Sequence, residues 1–299
     1  MALIRNTANT ALWAVALLIL SLVGCAASSL VEQSSVASAT PPKEIDSMLK
    51  ECPREIHYPQ TFTAGMPLAV AKQMIVTRLA ALNLRAVWQD QRGAAFVDTA
   101  DDRSRLAQLV NVVLPGLERY PSSLFTGIGL TDVVLVKDLI VSQQRRRAMP
   151  DPANTAIIYA DNGDELCPAG MEMRVHHELY HFIDYRVFGD FYHRDPVWLA
   201  LNRGTIEYGR GGATAYGIAF QNLGHPSNGL VSRYAAYALE EDKSEVFGWM
   251  MTPGYAARVH QWVKSDEVLR AKQRFMIEQF SQRTAGAMNA DFFARIAAQ

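Results

Sequence analysis

Residues 168–187 read PAGMEMRVHHELYHFIDYRV. Pro168 suits the first position of a helix, where its missing N–H would have no partner in any case. A helix is expected from Pro168 to about Val187. Within it, His177-Glu178-Leu179-Tyr180-His181 is an HExxH motif. Histidines four apart project from one helix face, so both imidazoles can reach one zinc ion. Glu178 lies one residue on from His177, close enough to hold a water at the metal but angled away from ligation. The pattern offers a Lewis acid, an activated water and a base for its proton. The bland alternative is a pair of half-buried histidines with surface partners.

Zinc needs a third protein ligand and a fourth position left open. The metzincin pattern puts glycine and histidine at the third and sixth places after the second histidine. Asp184 and Val187 stand there, which excludes that class. Two other segments offer an acid. Gly204-Thr205-Ile206-Glu207-Tyr208-Gly209 is similar to the aspzincin signature Gly-Thr-x-Asp-x-x-Tyr-Gly, but one residue short and with Glu207 for the aspartate. Leu239 to Phe247, LEEDKSEVF, resembles the gluzincin helix in which a ligand glutamate is followed four residues later by an acid that orients a zinc-bound histidine. Glu241 and Glu245 fit those roles by spacing on one helix face. Glu240 is rotated about 100° from Glu241, so both cannot face the metal equally. An acidic first turn favoured by the helix dipole would give the same letters.

Val231-Ser232-Arg233-Tyr234-Ala235, followed by EEDKSEVF at 240–247, resembles the candidate zinc-binding metallopeptidases found among bacterial lipoproteins. It is similar also to lethal-factor-type gluzincin catalytic domains. Their pattern is HExxH, then Ser-x-Tyr, then Glu-Asp-x-Ala-Glu; here Ser244 replaces the alanine. Trp198-Leu199-Ala200-Leu201-Asn202 fits a Trp-x-x-Leu-Asn stretch of the first family. The resemblance covers roughly 155–250, and the chain before Asp132 matches only loosely. It implies a zincin-like fold, one Zn²⁺ held by His177, His181 and Glu241, and Glu178 as general base. It implies also that Tyr234 donates to the oxyanion and that Glu245 orients a ligand histidine. Asp184, one turn past His181, is placed either to hold a histidine's second nitrogen or to be a surface acid. The expected activity is hydrolysis of a peptide or protein substrate. The rival reading is a zinc-binding lipoprotein that binds a partner without cutting it; a binding site has no need of a base at Glu178.

The rest of the chain alternates helical and extended signals. Helices are expected from Met66-Pro67 to Leu82, from Ser104 to Leu117 with Asp101-Asp102 as cap, and at about 239–251 and 265–282. DVVLVKDLIV at 132–141 and TAIIYA at 155–160 read as strands, the second closed by Asp161-Asn162-Gly163. Strand 155–160 is expected to border the cleft and take substrate as an added strand. The run Arg145-Arg146-Arg147 reads as a solvated loop. Together these give an α+β domain over 45–299: a mixed or antiparallel sheet, an active-site helix and a C-terminal helical part.

Ahead of that domain, residues 11–23 are apolar except for Ser21, too short to span a bilayer, and end in Leu22-Val23-Gly24-Cys25. This is similar to a lipobox, which implies a lipoprotein signal peptide over 1–24 and a lipid on Cys25. Residues 25–44, small and polar with Pro41-Pro42, read as a flexible tether. The expected location is the bacterial cell envelope, anchored to the membrane by that lipid. Ala26 leans the assignment to the outer membrane and its periplasmic side. Cys52 and Cys167 are then the remaining thiols, a possible disulfide in an oxidising compartment. Against 30 acidic residues stand 29 basic ones, a balance that argues against a nucleic-acid partner.

Overall fold

A computed structural model describes residue 52 and residues 57–163, 167–218, 222–226 and 228–299. These belong to one compact unit, Pro41–Gln299. The expected signal segment 1–24, Cys25 and the tether lie outside the described residues. No helix among the described residues is long and apolar enough to cross a membrane.

Four strands make the main sheet: β1 (Arg85–Val87), β2 (Asp132–Lys137), β5 (Ala148–Asp151) and β6 (Ala156–Asp161), in the order β1-β2-β6-β5. β1, β2 and β6 run parallel, with Val133 opposite Ile157 and Leu135 opposite Tyr159. β5 runs antiparallel to β6 and forms an edge. Every residue of β6 is buried, as suits a strand covered on both faces. Val133, Leu135, Ile157 and Tyr159 point to the main helical core. Val134, Val136, Ile158 and Ala160 point the other way, into a small second cluster with Leu139. The alternation of two along each strand builds both layers.

The expected strand 132–141 is cut in two. Asp138 adopts a left-handed φ of 52° and donates its N–H to the Asp161 carbonyl at 2.9 Å. The chain then turns into a separate hairpin of β3 (Ile140–Val141) and β4 (Gln144–Arg145). The run after it is no solvated loop either, since Arg147 is buried.

The helices are α1 (Leu68–Ala81), α2 (Ala100–Leu117), α3 (Ser122–Ile128), α4 (Pro168–Phe188), α5 (Pro196–Leu201), α6 (Leu239–Met251), α7 (Pro253–Trp262), α8 (Glu267–Arg283) and α9 (Ala290–Ala297). Thr99, rather than the Asp101-Asp102 pair, caps α2: its side chain accepts from the Asp102 N–H at 3.2 Å. Asp102 turns instead to Lys137 at 2.8 Å. α4 starts at Pro168 and stops at Gly189, whose φ of 75° ends it in a left-handed turn. Cys167, at the foot of α4, is joined to Cys52 by a disulfide. The α+β layout expected from the sequence is the one observed, with a mixed sheet, the HExxH helix behind its β5 edge, and helices at the C-terminus.

α6 crosses α4 at very close range. A Cβ on Gly248 would stand 2.9 Å from the Met173 carbonyl oxygen and 3.4 Å from His177 Cβ. Any side chain there would push the two helices apart, and with them the acids of α6 from the histidines of α4.

Candidate metal centre

The neighbouring His176 and His177 turn to opposite sides of α4. His176 is fully buried in the core, with its Nδ1 2.6 Å from the Tyr120 hydroxyl. Burial lowers its pKa, so it stays neutral there despite Glu172 nearby. His177 faces the other way, toward α6. Its Nε2 lies 3.0 Å from His181 Nε2 and 3.1 Å from Glu241 Oε2, and His181 Nε2 lies 3.2 Å from the same oxygen. Three donor atoms thus converge from two helices, all three residues buried.

Those separations can be compared with a metal site. Ligands on a tetrahedral zinc with bonds of about 2.05 Å stand about 3.3 Å apart. Two imidazole nitrogens and one carboxylate oxygen at 3.0–3.2 Å therefore fit one ion, and the donor types are those zinc takes. Burial alone would lower the His177 pKa, but Glu241, Glu245 and Glu178 raise it to about 10. Burial alone would raise the Glu241 carboxyl, but His181 and His177 hold it well below the usual carboxylate range.

Glu245 supports the site from one turn along α6. Its Oε1 faces His177 Nδ1 at 3.1 Å, and its Oε2 accepts from the Ser232 hydroxyl at 2.5 Å and from Trp249 Nε1 at 3.2 Å. Tyr234 opens a 3₁₀ turn, Tyr234–Tyr237, with its N–H bonded to Asn222 Oδ1 at 2.9 Å. Its ring lies 6.0 Å from that of His177. Burial, with Glu241, Tyr216 and Glu178 adding to it, raises the phenol far above its ordinary pKa, so it remains a donor. Gly212 closes this corner: a Cβ there would overlap both the Glu241 carboxylate and the Tyr234 hydroxyl.

The donor atoms open into a cavity of about 380 Å³, lined also by half-buried Glu178, by Tyr216 and by Ala148, Met149 and Pro150 of β5. The Ala160 N–H donates to the Arg147 carbonyl at 2.6 Å, which sets the hydrogen-bonding alternation along this pair of strands. Ala148 and Pro150 therefore turn their backbone groups to the open edge. Pro150 costs the ladder no donor in that position.

The structure is similar to the crystal structure of a candidate zinc-binding metallo-peptidase from Bacteroides caccae. The two share 10% identity with a TM-score of 0.45, over 76% of this chain and 92% of that one. No protein-family model matches the chain, and a search of curated proteins finds no match. What the site can do rests on its own geometry.

That geometry brings His177, His181, Glu178, Tyr234, Glu241 and Glu245 to one place. It does not bring Asp184 to a histidine. Asp184 accepts from Lys243 Nζ at 2.5 Å, and Lys243, fully buried, also reaches Asp195 at 2.9 Å. A buried ammonium is a stronger partner for this carboxylate than a neutral ring nitrogen. Glu207, the aspzincin-like candidate, is exposed, while its neighbour Tyr208 anchors that segment by donating to Asp242 at 2.6 Å. Trp198 of the Trp-x-x-Leu-Asn stretch donates to the same Asp242 at 2.8 Å, and Asn202 bonds the Tyr208 hydroxyl at 2.7 Å. This motif therefore holds the start of α6 in place. Glu240 lines the cavity without joining the three donors.

The expected substrate strand 155–160 is displaced from its role. As β6 it is paired on both sides, by β2 and β5, and offers no free edge. The cleft is bordered by β5, which the prolines at 150 and 152 and the preceding arginines disguise as loop. A proline in a short stretch next to a buried strand is the signal for an edge. Gly212 and Arg174 were not legible as site residues; nothing in their local sequence marks them.

Proposed function

We propose that this protein is a zinc-dependent peptidase of the gluzincin type. The observation that carries the reading is the convergence of His177 Nε2, His181 Nε2 and Glu241 Oε2 within 3.2 Å of one another, beside Glu178 and at the foot of an edge strand. Zinc bound by these three atoms would polarise a carbonyl and lower the pKa of a water. Glu178 takes that water's proton and later passes it to the leaving amine. The Tyr234 hydroxyl, kept protonated by burial, donates to the oxyanion that develops on the scissile carbonyl. Glu245 holds the His177 ring so that Nε2 presents its lone pair. Ala148, through its N–H and C=O, and Pro150, through its C=O, give an extended substrate backbone three groups to pair with along β5.

The reading includes export and attachment to the cell envelope through a lipid on Cys25, supported by the apolar run that ends in Leu22-Val23-Gly24-Cys25. The test is metal analysis of the purified protein together with cleavage of an unbiased peptide library. One zinc per chain and metal-dependent cleavage are expected, with cleavage lost and zinc kept in Glu178→Gln. Cleavage that survives Glu178→Gln would remove the mechanism. Zinc binding with no cleavage of any peptide would return the protein to the class of binding modules.

A further inference from the structure

We infer that the cavity selects peptides with a carboxylate on the residue that departs with the leaving amine, and that Arg174 receives it; this rests on the peptidase reading above. Arg174 lies on α4 four residues before Glu178, so the two share a helix face, and both line the cavity. Three other partly buried arginines have acids: Arg92 pairs with Asp90 and Asp151 at 2.6 Å, Arg105 with Asp161, and Arg119 with Glu172 at 2.6 Å, whereas Arg146, like Arg174, has none among the described residues. Arg174 makes no ion pair among the described residues, and its Nε is buried with no hydrogen-bond partner. Only this Nε is buried; the residue is partly exposed and lines the cavity, and the planar fork of a guanidinium is shaped for a carboxylate.

No acid of the cavity is positioned to serve it. Glu241 is engaged by the two imidazoles, and neither Glu178 nor Glu240 lies within ion-pairing distance of it. Arg146 reinforces the same region: it stands over the Tyr216 ring at 5.7 Å, and both Arg146 and Arg174 act electrostatically on that phenol. A substrate anion here would meet two cations across one tyrosine. The side of the scissile bond follows from Glu178. That residue delivers its proton to the leaving amine, so the guanidinium one turn away faces the residue that carries this amine. The anion can be an Asp or Glu side chain or, if the leaving residue is the last one, its terminal carboxylate.

The experiment takes a peptide cleaved by the zinc-loaded protein and places Glu or Gln, in turn, on either side of the scissile bond. A further pair ends at the leaving residue, with a free or an amidated carboxylate. The expected result is a preference in kcat/KM of about 10- to 100-fold for the anion on the leaving side. That ratio collapses toward unity in Arg174→Gln and is partly kept in Arg174→Lys, with zinc content unchanged in both. The free-terminus pair tells which carboxylate is used. An intact preference in Arg174→Gln, a preference on the acyl side, or no preference overturns the inference. A binding arm separates it from the peptidase reading: acetyl-Ala-Ala-Glu-Ala-amide, its Gln counterpart, and acetyl-Ala-Ala with a free or amidated terminus are titrated into zinc-loaded Glu178→Gln protein. Arg174-dependent preference for the anionic peptides, with no peptide ever cleaved by the native protein, keeps the anion site and removes the hydrolysis. Equal binding of anionic and neutral peptides removes the anion site.

Discussion

Glu245 and His177 face each other at 3.1 Å, carboxylate oxygen to Nδ1, while the other nitrogen of the same ring lies 3.1 Å from Glu241. One imidazole is thus held at both ends by two acids from a single face of α6, one turn apart. The bonds from Ser232 and Trp249 fix Glu245 in turn. With a carboxylate set against Nδ1, the proton that a metal displaces is the one on Nε2, and the Nδ1 proton stays facing Glu245. Lys272, fully buried, meets Asp242 in an ion pair of 2.5 Å and so holds this first turn of α6 from the far side.

Two substitutions separate the acids of α6. Glu241→Ala removes a donor atom and is expected to yield a protein without zinc. Glu245→Ala leaves all three donors and is expected to weaken zinc binding or activity by about 10- to 100-fold. Zinc titration against a competing chelator measures both. Equal losses in the two variants would mean that their roles are not divided in this way.

Zinc binding is expected to release protons. In the metal-free site the neighbouring carboxylates, working against burial, raise His177 to about 10, so at pH 7 the ring carries a proton that zinc must displace. Affinity therefore falls as pH drops below the raised value and levels off above it, with about one proton released from this ring near neutrality. Calorimetry in buffers of different ionisation heat counts the protons. A proton count of zero at pH 7 would contradict the charge state assigned to the ring.

The helix pair His177 and His181 was readable because a period of 3.6 turns spacing into direction. Glu241 was not readable that way. It stands on another helix, and the fold alone joins it to His181; only the resemblance of 231–247 to a family singled it out. Asp184 shows the limit of local spacing: residues three apart on a helix are neighbours, yet a buried ammonium arriving on α6 from 59 residues away took its carboxylate. The strand 156–161 was readable from its apolar run, but a run buried on both faces says central strand, not edge. The edge itself, Ala148–Asp151, carries Pro150 and follows three arginines, so its strand propensity is masked and its place is set by pairing with β6.

Lys243 supplies a stability test. It is fully buried and bonds Asp184 and Asp195 at once, 2.5 and 2.9 Å away. Lys243→Met leaves two buried carboxylates facing each other without a cation, and is expected to cost about 3–5 kcal/mol. Replacing both acids with asparagine in the same protein should recover much of that loss. Urea unfolding of the single and triple variants reads it; an unchanged midpoint in Lys243→Met would show that solvent reaches the pair.

Tyr234 should act on rate alone. Its hydroxyl is held protonated beside Glu241, and its proposed use is to donate to charge that exists only in the transition state. Tyr234→Phe is therefore expected to lower kcat by about 10- to 1,000-fold with little change in KM. Zinc content should stay at the native level. Steady-state kinetics on one peptide, with metal analysis of the same sample, checks both; an unaltered kcat would remove the role.

Gly212 tests whether the corner between Glu241 and Tyr234 is set by space. A Cβ there would overlap both side chains, and its neighbours are a carboxylate held by two imidazoles and a buried phenol, neither free to move aside. Gly212→Ala should therefore push Glu241 off the shared point, weakening zinc binding and activity together. Gly204 is the matched control. It has a left-handed φ of 73°, and a Cβ on it meets nothing within 4 Å. Gly204→Ala is expected to cost about 1 kcal/mol in backbone strain and to leave zinc affinity alone. If Gly212→Ala keeps native zinc affinity while Gly204→Ala loses it, the site is governed by backbone conformation in the 204–212 segment and not by the space that Gly212 leaves open.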